Sequence, residues 1–377
     1  MSVEICIAKS DEERSAVYRF RYDIFVQELN LFRESADHDQ RSLSDEHDQT
    51  AHLIYAKDKN GIIGTARINW GGDAPFSDEF RETYQLSRFE PLAPPESFII
   101  VTRLAVEEGA RGSRLGLLLM RYCATFAKEH DAHLCFCDCQ PHLLRVYESL
   151  GFRPYARPYN DPSYGIMVPL LNIASDAEHL AAVQSPLTKT LSGWDPPANL
   201  DEIRALIPEL PAVHEVRELG STRDKIRALA ENSGDGNFGL FDGLSVDETG
   251  DLLARSHVIS CHKGDYIIRE GTVTNTVFSI VEGELEVRID GQTICFISAG
   301  ECFGELSLLH NIPRTADVIV HSEQAVVLSL SETNLHRLIS SHSELASKFL
   351  MNLAKSLAMK LLRDGHGSED SSPQRSF

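Results

Sequence analysis

A glycine, a glutamate and an arginine share one short segment in the C-terminal third of the chain. Gly304 and Glu305 precede an apolar run, and Arg314 closes the segment. A glycine before a short helix lets the backbone approach a phosphate, which the N-terminal amides of the helix then face. Arg314 can bind that phosphate through two parallel charged hydrogen bonds, and Glu305 can accept a hydrogen bond from a ribose hydroxyl. The segment therefore predicts a site for a ribose phosphate.

A second phosphate-binding pattern lies in the N-terminal half of the chain. Residues 98–106 (FIIVTRLAV) have the composition of a buried strand, and a glycine-containing turn separates them from an amphipathic helix at about 113–129. Backbone amides at the start of such a helix bind a pyrophosphate or the phosphate of phosphopantetheine. The net charge of the chain is −20, yet residues 101–160 hold eight Lys and Arg against six Asp and Glu. A locally basic window in an acidic chain indicates an anionic ligand or partner.

The remaining patterns indicate the elements that position these residues. In the N-terminal part, helical periodicity alternates with short strand-like runs, which is typical of a mixed α/β domain. From residue 257, short strands punctuated by glycines predict a small all-β roll with flanking helices, so the predicted fold class is α+β. The predicted elements are helices at 12–29, 113–129, 141–150, 199–207, 221–232 and 332–362, and strands at 51–57, 62–69, 98–106 and 133–138.

Eight cysteines are spread along the chain, and three of them alternate with other residues. Alternation places Cys135, Cys137 and Cys139 on one face of a strand. We interpret them as a buried strand face in a reducing compartment. A metal site is the weaker alternative because no Cys-x-x-Cys pair accompanies them, and we expect no metal cofactor.

The segment from Phe303 to Val318 resembles the phosphate-binding cassette of cyclic-nucleotide-binding domains nearly position for position, and the resemblance extends across roughly 237–363. It implies cyclic AMP or cyclic GMP as the ligand, and Thr315 does not decide between them. The chain is similar to the ligand-sensing half of the catabolite-activator family, and we expect no DNA-binding half after Arg363. The implied nucleotide-binding residues are Phe303, Gly304, Glu305, Leu306, Ser307, Arg314, Thr315 and Ala316.

Arg111 to Gly116 resembles the cofactor motif of GNAT-type N-acyltransferases, with Arg114 where a glycine is usual. Val146 to Phe152 resembles the closing motif of that family, which implies that Tyr147 protonates the leaving thiolate; an ordinary helix residue is the alternative. The donor would be acyl-CoA or an acyl-phosphopantetheine, in the cleft where the two central strands diverge. The implied cofactor-binding residues are Leu104, Val106, Arg111, Gly112, Ser113, Arg114, Leu115 and Gly116.

The beginning of this domain resembles the autoinducer-synthase and long-chain N-acyl amino acid synthase branch, on Arg21–Glu28, Asp45–Asp48, Gly64–Arg67 and Thr102–Leu104. Those enzymes pass an acyl chain from acyl carrier protein to an amine. The resemblance implies that Glu28, directly or through water, deprotonates the acceptor. The basic window suits acyl carrier protein, which is acidic, and equally the phosphates of coenzyme A. The implied substrate residues are Arg21, Asp45, Asp48, Arg67 and Arg103.

Length and composition narrow the class of protein. The 377 residues exceed what one hydrophobic core usually serves, so two domains are expected. A net charge of −20 argues against nucleic acid as a partner. Neither a membrane-spanning apolar stretch nor a secretion signal is found, so a cytoplasmic location is expected. The predicted parts are a GNAT-like domain (1–171), a partly helical connector (172–236), a cyclic-nucleotide-binding domain (237–363) and a disordered tail (364–377).

Three hypotheses of function follow. The leading one is a cyclic-nucleotide-regulated N-acyltransferase that moves an acyl group from coenzyme A or acyl carrier protein to a small amine. The second is a non-enzymatic nucleotide sensor with a degenerate acyltransferase fold, and the third is a protein lysine acetyltransferase. The sequence leaves open the acceptor, the acyl length, the purine, the sign of regulation and the oligomeric state.

Overall fold

Two units divide the chain, at residues 1–210 and 211–377. Each unit has its own sheets and its own hydrophobic core. Within the parts of the chain that are described, no helix combines the length and the apolar character that a membrane crossing requires. The computed structural model describes residues 3–111, 113–161, 163–207, 239–253, 255–310 and 312–367.

One mixed sheet forms the centre of the first unit. Its described strands are β1 (Glu4–Ile7), β2 (His52–Asp58), β3 (Gly61–Trp70), β4 (Phe98–Val106), β5 (Leu134–Cys139), β6 (Arg153–Pro154), β7 (Tyr159–Asp161) and β8 (Gly165–Ile173). They take the order β1-β2-β3-β4-β5-β8-β6, and β7 pairs with β8. β4 and β5 are the parallel pair, and the other neighbours are antiparallel. The strands predicted at 51–57, 62–69, 98–106 and 133–138 are confirmed as β2 to β5.

The helices of the first unit include α3, which packs against β2, β3 and β4. A capping box of Ser10 and Glu13 begins α1. The helix predicted at 12–29 is an α-helix only as far as Arg21. From Tyr22 to Glu28 the backbone follows the hydrogen-bond pattern of a π-helix. The described α-helices are α1 (Asp11–Arg21), α2 (Asp78–Thr83), α3 (Leu115–Glu129), α4 (Leu144–Leu150), α5 (Ala177–Ala182), α6 (Thr188–Leu191) and α7 (Leu200–Ala205).

Apolar side chains of β4 and β5 form the core on one face of the sheet. Phe98 and Ile100 of β4 and Leu134 and Phe136 of β5 belong to one cluster of fully buried residues. The alternate residues of β5 face the other way, and the three cysteines predicted to line that face are buried.

Residues 174–207 belong to the first unit, which differs from the predicted connector at 172–236. Ile203 of α7 is buried in the same core as β4 and β5. The guanidinium of Arg204 forms an ion pair with the buried Asp176 at 2.6 Å, and Asn199 donates a hydrogen bond to the carbonyl of Leu92 at 2.7 Å. The proline-rich composition suggested a linker, but long-range contacts hold this segment to the sheet. The helix predicted at 221–232 lies outside the described residues.

Two four-stranded antiparallel sheets form the β-roll of the second unit. The described strands are β9 (His257–His262), β10 (Tyr266–Ile268), β11 (Thr276–Glu282), β12 (Glu284–Ile289), β13 (Gln292–Ser298), β14 (Cys302–Phe303), β15 (Asp317–Val320) and β16 (Gln324–Ser331). One sheet has the order β10-β15-β12-β13, and the other has the order β14-β11-β16-β9. The predicted all-β roll is confirmed.

The helices of this unit are α8 (Val246–Leu253), α9 (Glu305–His310), α10 (Glu332–Ser341) and α11 (Ser343–Gly367). The single helix predicted at 332–362 is two helices, because the extended backbone of His342 breaks it. Leu345, Phe349 and Leu353 hold α11 in the core. Since α11 continues to Gly367, the first residues of the predicted disordered tail are helical, and residues 368–377 lie outside the described residues.

Candidate functional site

A bulge interrupts β4 where it pairs with β3. Arg103 and Leu104 together face the single residue Ala66, because the register shifts between the flanking pairs. Arg103 adopts a left-handed backbone with φ of 54°, which is strained for a residue other than glycine. Strain of this kind is found most often where the fold must aim a side chain at a functional site.

β4 and β5 separate beyond the middle of the sheet. Their parallel pairing ends at Ile100 and Phe136. Beyond these residues, β4 remains paired with β3 and β5 remains paired with β8. The edges that β4 and β5 turn toward each other are then free to pair with an extended ligand that carries amide groups. This is the cleft in which the sequence predicted the thioester.

Three arginines and two aspartates form one ionic network. Asp45 accepts hydrogen bonds from Arg67 and, at 2.7 Å, from Arg103. Asp48 forms an ion pair with Arg21 at 2.7 Å and lies 3.4 Å from Arg67. Burial alone would raise the pKa of the Asp45 carboxyl, but Arg67 and Arg103 hold it well below its usual range. The structure thus brings together all five substrate residues predicted from the sequence.

The two aspartates are held by a short turn. Asp45 precedes the 3₁₀ turn Glu46–Asp48, and its carboxylate accepts a hydrogen bond from the backbone amide of His47 at 3.0 Å. The carboxylate of Asp48 accepts one from the amide of Asp45 at 2.9 Å. These local bonds fix the positions of both carboxylates.

Arg21 is fully buried at the end of α1. Its Nε and Nη2 atoms have no hydrogen-bond partner among the described residues. Burial lowers the pKa of its guanidinium, and Asp48 opposes that effect. The network contains three guanidinium groups and two carboxylates, so it retains one positive charge that an anionic group can balance.

Arg103 joins this network to aromatic residues. Its guanidinium lies 4.0 Å from the ring centre of Phe32, and the hydroxyl of Tyr164 lies close enough to affect its pKa. Burial alone would lower the pKa of Arg103, but Tyr164 and Asp45 raise it above its ordinary value. Burial raises the pKa of Tyr164 to about 12, so its hydroxyl remains protonated at neutral pH.

The predicted phosphate site lies at the start of α3. The hydroxyl of Ser113 accepts a hydrogen bond from the amide of Leu115 at 3.2 Å, and Arg114 is exposed. A Cβ at Gly116 would meet no atom within 4 Å, so the fold itself does not require a glycine there. Gly112 lies outside the described residues.

Arg111 and Glu28 form an ion pair. The Nε of Arg111 also donates a hydrogen bond to the carbonyl oxygen of Val106 at 3.1 Å. The structure therefore joins the predicted base to a predicted phosphate ligand. The carboxylate of Glu28 thus already has a cationic partner.

Tyr147 is half-buried on α4, with its ring centre 5.6 Å from that of Phe152. Burial raises its pKa well above the usual range, and Cys137 and Cys139 of β5 add to the effect. The phenol is therefore protonated at neutral pH, as a proton donor must be, and it lies beside the end of β5.

Two carboxyl groups near Tyr147 were not predicted as site residues. Burial raises the pKa of Asp138, and the hydroxyl of Tyr159 donates a hydrogen bond to its carboxylate. Burial also raises the pKa of Glu148 to about 7, and Arg145 opposes the shift. The sequence did indicate one of them, because Asp138 is an aspartate within the apolar strand predicted at 133–138. Charged residues are rarely buried unless they are paired, so such a position indicates a possible site residue.

A buried arginine lies among the residues of the second unit that the sequence predicts to bind a nucleotide. Arg314 donates hydrogen bonds to the carbonyl oxygens of Gly304 and Thr276, both at 2.7 Å, and to the hydroxyl of Thr274 at 3.0 Å. Burial lowers its pKa to about 10, which leaves the guanidinium charged at neutral pH. Gly304 is needed here: its φ is 79°, and a Cβ would lie 2.5 Å from Nη1 of Arg314.

Glu305 begins α9 and is buried. Its carboxylate accepts a hydrogen bond from the ammonium of Lys360 in α11 at 2.7 Å, and the same ammonium donates to the carbonyl oxygen of Cys302 at 2.6 Å. The sequence did not predict this contact. Of the other predicted nucleotide-binding residues, Phe303 and Ser307 are buried, Ala316 is half-buried, and Leu306 and Thr315 are exposed.

One group of side chains has the spacing of a metal site. Glu46, His47 and Glu79 each offer a ligand atom, and these atoms lie within 4.8 Å of one another. His47 and Glu79 already contact each other at 3.1 Å, and the ring of His47 stacks on Phe80 at 3.9 Å. The hydrogen bond between His47 and Glu79 explains why these side chains lie close together. We therefore assign no metal ion to the group.

Two segments match family models. Residues 16–174 match the N-acyl amino acid synthase FeeM, and residues 258–342 match the cyclic nucleotide-binding domain. The first segment contains the cleft, the ionic network and Tyr147, and the second contains Glu305 and Arg314. Every site residue predicted from the sequence therefore falls within a matched segment.

Individual proteins resemble parts of the chain. The cGMP-dependent protein kinase isozyme 1 of Drosophila melanogaster is 32% identical over 31% of this chain, which spans 17% of the kinase. A cyclic nucleotide-binding domain of Methylobacillus flagellatus is 21% identical over 42% of this chain and 89% of its own, with a TM-score of 0.36. ElaA of Escherichia coli is 22% identical over 45% of this chain and 99% of its own, with a TM-score of 0.33.

Proposed function

We propose that this chain transfers an acyl group from a phosphopantetheine thioester to an amine under the control of a cyclic nucleotide. Residues 16–174 form an N-acyltransferase domain of the N-acyl amino acid synthase type, and residues 258–342 form a cyclic nucleotide-binding domain. The main support for the proposal is the cleft between β4 and β5. The bulge in β4 places Arg103 of the ionic network at the border of this cleft.

The reaction exchanges one bond for another. The amine nitrogen attacks the thioester carbonyl, a C–N bond forms, the C–S bond breaks, and the amine loses a proton. The thiolate that leaves accepts a proton from Tyr147, whose raised pKa keeps the phenol protonated until a strong base forms beside it. Unpaired backbone amides at the edge of β4 would stabilise the carbonyl oxygen as it gains negative charge.

An amino acid is the acceptor that the ionic network favours. The matched family is named for N-acyl amino acid synthesis. An amino acid carries a carboxylate, and the network of three arginines and two aspartates has one unbalanced positive charge. A carboxylate beside this network gains charged hydrogen bonds that a simple alkylamine lacks. A lysine side chain within a protein lacks that carboxylate as well.

The donor is a phosphopantetheine thioester on coenzyme A or acyl carrier protein. The start of α3 offers backbone amides to a phosphate, and Arg111 and Arg114 lie beside it on the surface. Both carriers contain that phosphate. An acidic carrier protein would in addition contact the basic residues of the window 101–160.

Regulation would begin at the pair of Glu305 and Lys360. A ribose hydroxyl that bonds to Glu305 competes with Lys360 for the same carboxylate, and a phosphate competes with backbone carbonyls for Arg314. Nucleotide binding would then loosen the end of α11. A ligand controls turnover only as far as its affinity differs between the active and inactive states.

Release of free thiol from acyl-CoA and from acyl carrier protein tests the proposal. We expect turnover that depends on an added amino acid and that falls by about 10²- to 10⁴-fold in Tyr147→Phe. Tyr122→Phe is the matched control, since Tyr122 is a half-buried tyrosine of α3. Turnover with lysine peptides but not amino acids would contradict the acceptor, and no turnover with either donor would contradict acyl transfer.

A further inference from the structure

Asp138 lies on the wall of the cleft. It is located two positions beyond Phe136, where the pairing of β5 with β4 ends. Residues two apart on a strand share a face, so Asp138 lies on the face of Phe136, while Cys137 and Cys139 lie on the other. The carboxyl group is thus placed where the apolar core ends and the separation of the strands begins.

A phenol holds the carboxylate in place. The hydroxyl of Tyr159 on β7 donates a hydrogen bond to Oδ2 of Asp138. A carboxylate accepts about four hydrogen bonds, so this single bond leaves capacity for an N–H group.

The charged groups around Asp138 act in opposite directions. Burial raises its pKa, and the Asp161 carboxylate adds to this effect. The hydrogen bond from Tyr159 and the charge of the Arg103 guanidinium lower it. The carboxyl therefore binds a proton more readily than an exposed aspartate does, although Arg103, which belongs to the ionic network, partly opposes this effect.

We propose that Asp138 accepts the proton of the acceptor amine. The inference rests on the acyl transfer proposed above and replaces Glu28 in that role, since Glu28 is paired with Arg111. As the nitrogen attacks the thioester carbonyl, one of its protons passes to Asp138, and the thiolate takes a proton from Tyr147. Asp138 of β5 and Tyr147 of α4 would thus serve as the proton acceptor and the proton donor of one reaction.

The pH dependence of kcat at saturating acceptor tests this role in the full chain. A base must be ionised, so wild type should lose activity as the pH falls through the pKa of Asp138, above the usual aspartate value of about 3.9. Asp138→Asn should lower kcat by about 10²- to 10⁴-fold and remove this acidic limb, while the KM for the acyl donor is unchanged.

Tyr159→Phe separates catalysis from structure. The hydrogen bond from Tyr159 lowers the pKa of Asp138, so its removal should shift the acidic limb to higher pH. A residue that only supports the fold would lower the melting temperature and leave the limb in place. That result would overturn the proposal even if Asp138→Asn failed to fold.

Glu148→Gln is the matched control, because Glu148 is a second carboxyl with a raised pKa near the same site. We expect it to keep the acidic limb. Loss of the limb in Glu148→Gln, or its retention in an active Asp138→Asn, would assign the base elsewhere. Absence of turnover in wild type would instead contradict acyl transfer itself, so the two failures are distinguishable.

Discussion

Charged side chains at the bulge of β4 are fixed by opposing charges. Asp45 keeps a low pKa although it is partly buried, because Arg67 and Arg103 both bond to it. Arg103 bonds to Asp45 from the left-handed backbone of the bulge. The strained backbone of Arg103 and its ion pair with Asp45 therefore act together, and they keep the positive charge of Arg103 beside the cleft.

Gly304 offers a test of the nucleotide site at a single residue. Gly304→Ala should weaken binding of cyclic AMP and cyclic GMP by at least about tenfold, which corresponds to about 1.4 kcal/mol. The added Cβ would lie 2.5 Å from Arg314 Nη1 and 3.0 Å from the carbonyl oxygen of Thr276. Isothermal titration calorimetry measures the change.

Gly291→Ala is the matched control for that substitution. Gly291 also has a positive φ, of 76°, but a Cβ there would meet no atom within 4 Å. Both variants carry the same kind of backbone strain, and only Gly304→Ala disturbs the arginine. Equal loss of affinity in the two variants would contradict a direct role of Gly304.

At the scale of elements, α11 is the helix that contacts the nucleotide site. Its apolar stripe packs in the core through Leu345, Phe349 and Leu353, and its last turns are anchored by Lys360. The apolar stripe holds the first half of the helix in the core. The second half is held by the polar anchor at Lys360, with which the proposed nucleotide binding would compete.

Lys360→Met tests this anchor. We expect tighter binding of the nucleotide, by up to about tenfold, because Glu305 loses the ammonium that competes with the ribose. The free protein should melt at a lower temperature, since the buried carboxylate loses its partner. Lys348 is on the same helix as Lys360 and pairs with Glu248 of α8, so Lys348→Met removes that ion pair and should leave affinity unchanged. Weaker binding in Lys360→Met would contradict the competition.

Patterns within a short stretch of sequence predicted the elements well. The strand at 98–106 and the glycine-rich roll are determined by local composition, and the segment from Gly304 to Arg314 is contiguous. The boundary between the units was harder, because residues 174–207 are held to the sheet by contacts such as Arg204 with Asp176. Such contacts join distant segments and leave no local pattern.

The same limit applied to the site residues. Asp138 is held by Tyr159, which is distant from it in sequence, and Glu305 meets Lys360 across 55 residues. Glu28 was predicted as a base from its resemblance alone, and its pairing with Arg111 depends on the fold. Residue type identified these groups as chemically able, but only the fold determines which partner each one has.

For the whole molecule, the central question is whether two domains in one chain work as one enzyme. A cyclic nucleotide-binding domain and an N-acyltransferase domain occupy separate units. Coupling between two sites typically changes an equilibrium by about 5- to 150-fold. An effect of that size is easily measured as a rate.

The most direct measurement is the rate of thiol release from acyl donor and amino acid, with and without cyclic AMP and cyclic GMP. The proposed function predicts that one nucleotide changes the wild-type rate by at least about fivefold and leaves the rate of Arg314→Ala unchanged. An identical wild-type rate at nucleotide concentrations that saturate calorimetric binding would contradict cyclic-nucleotide control of this acyltransferase.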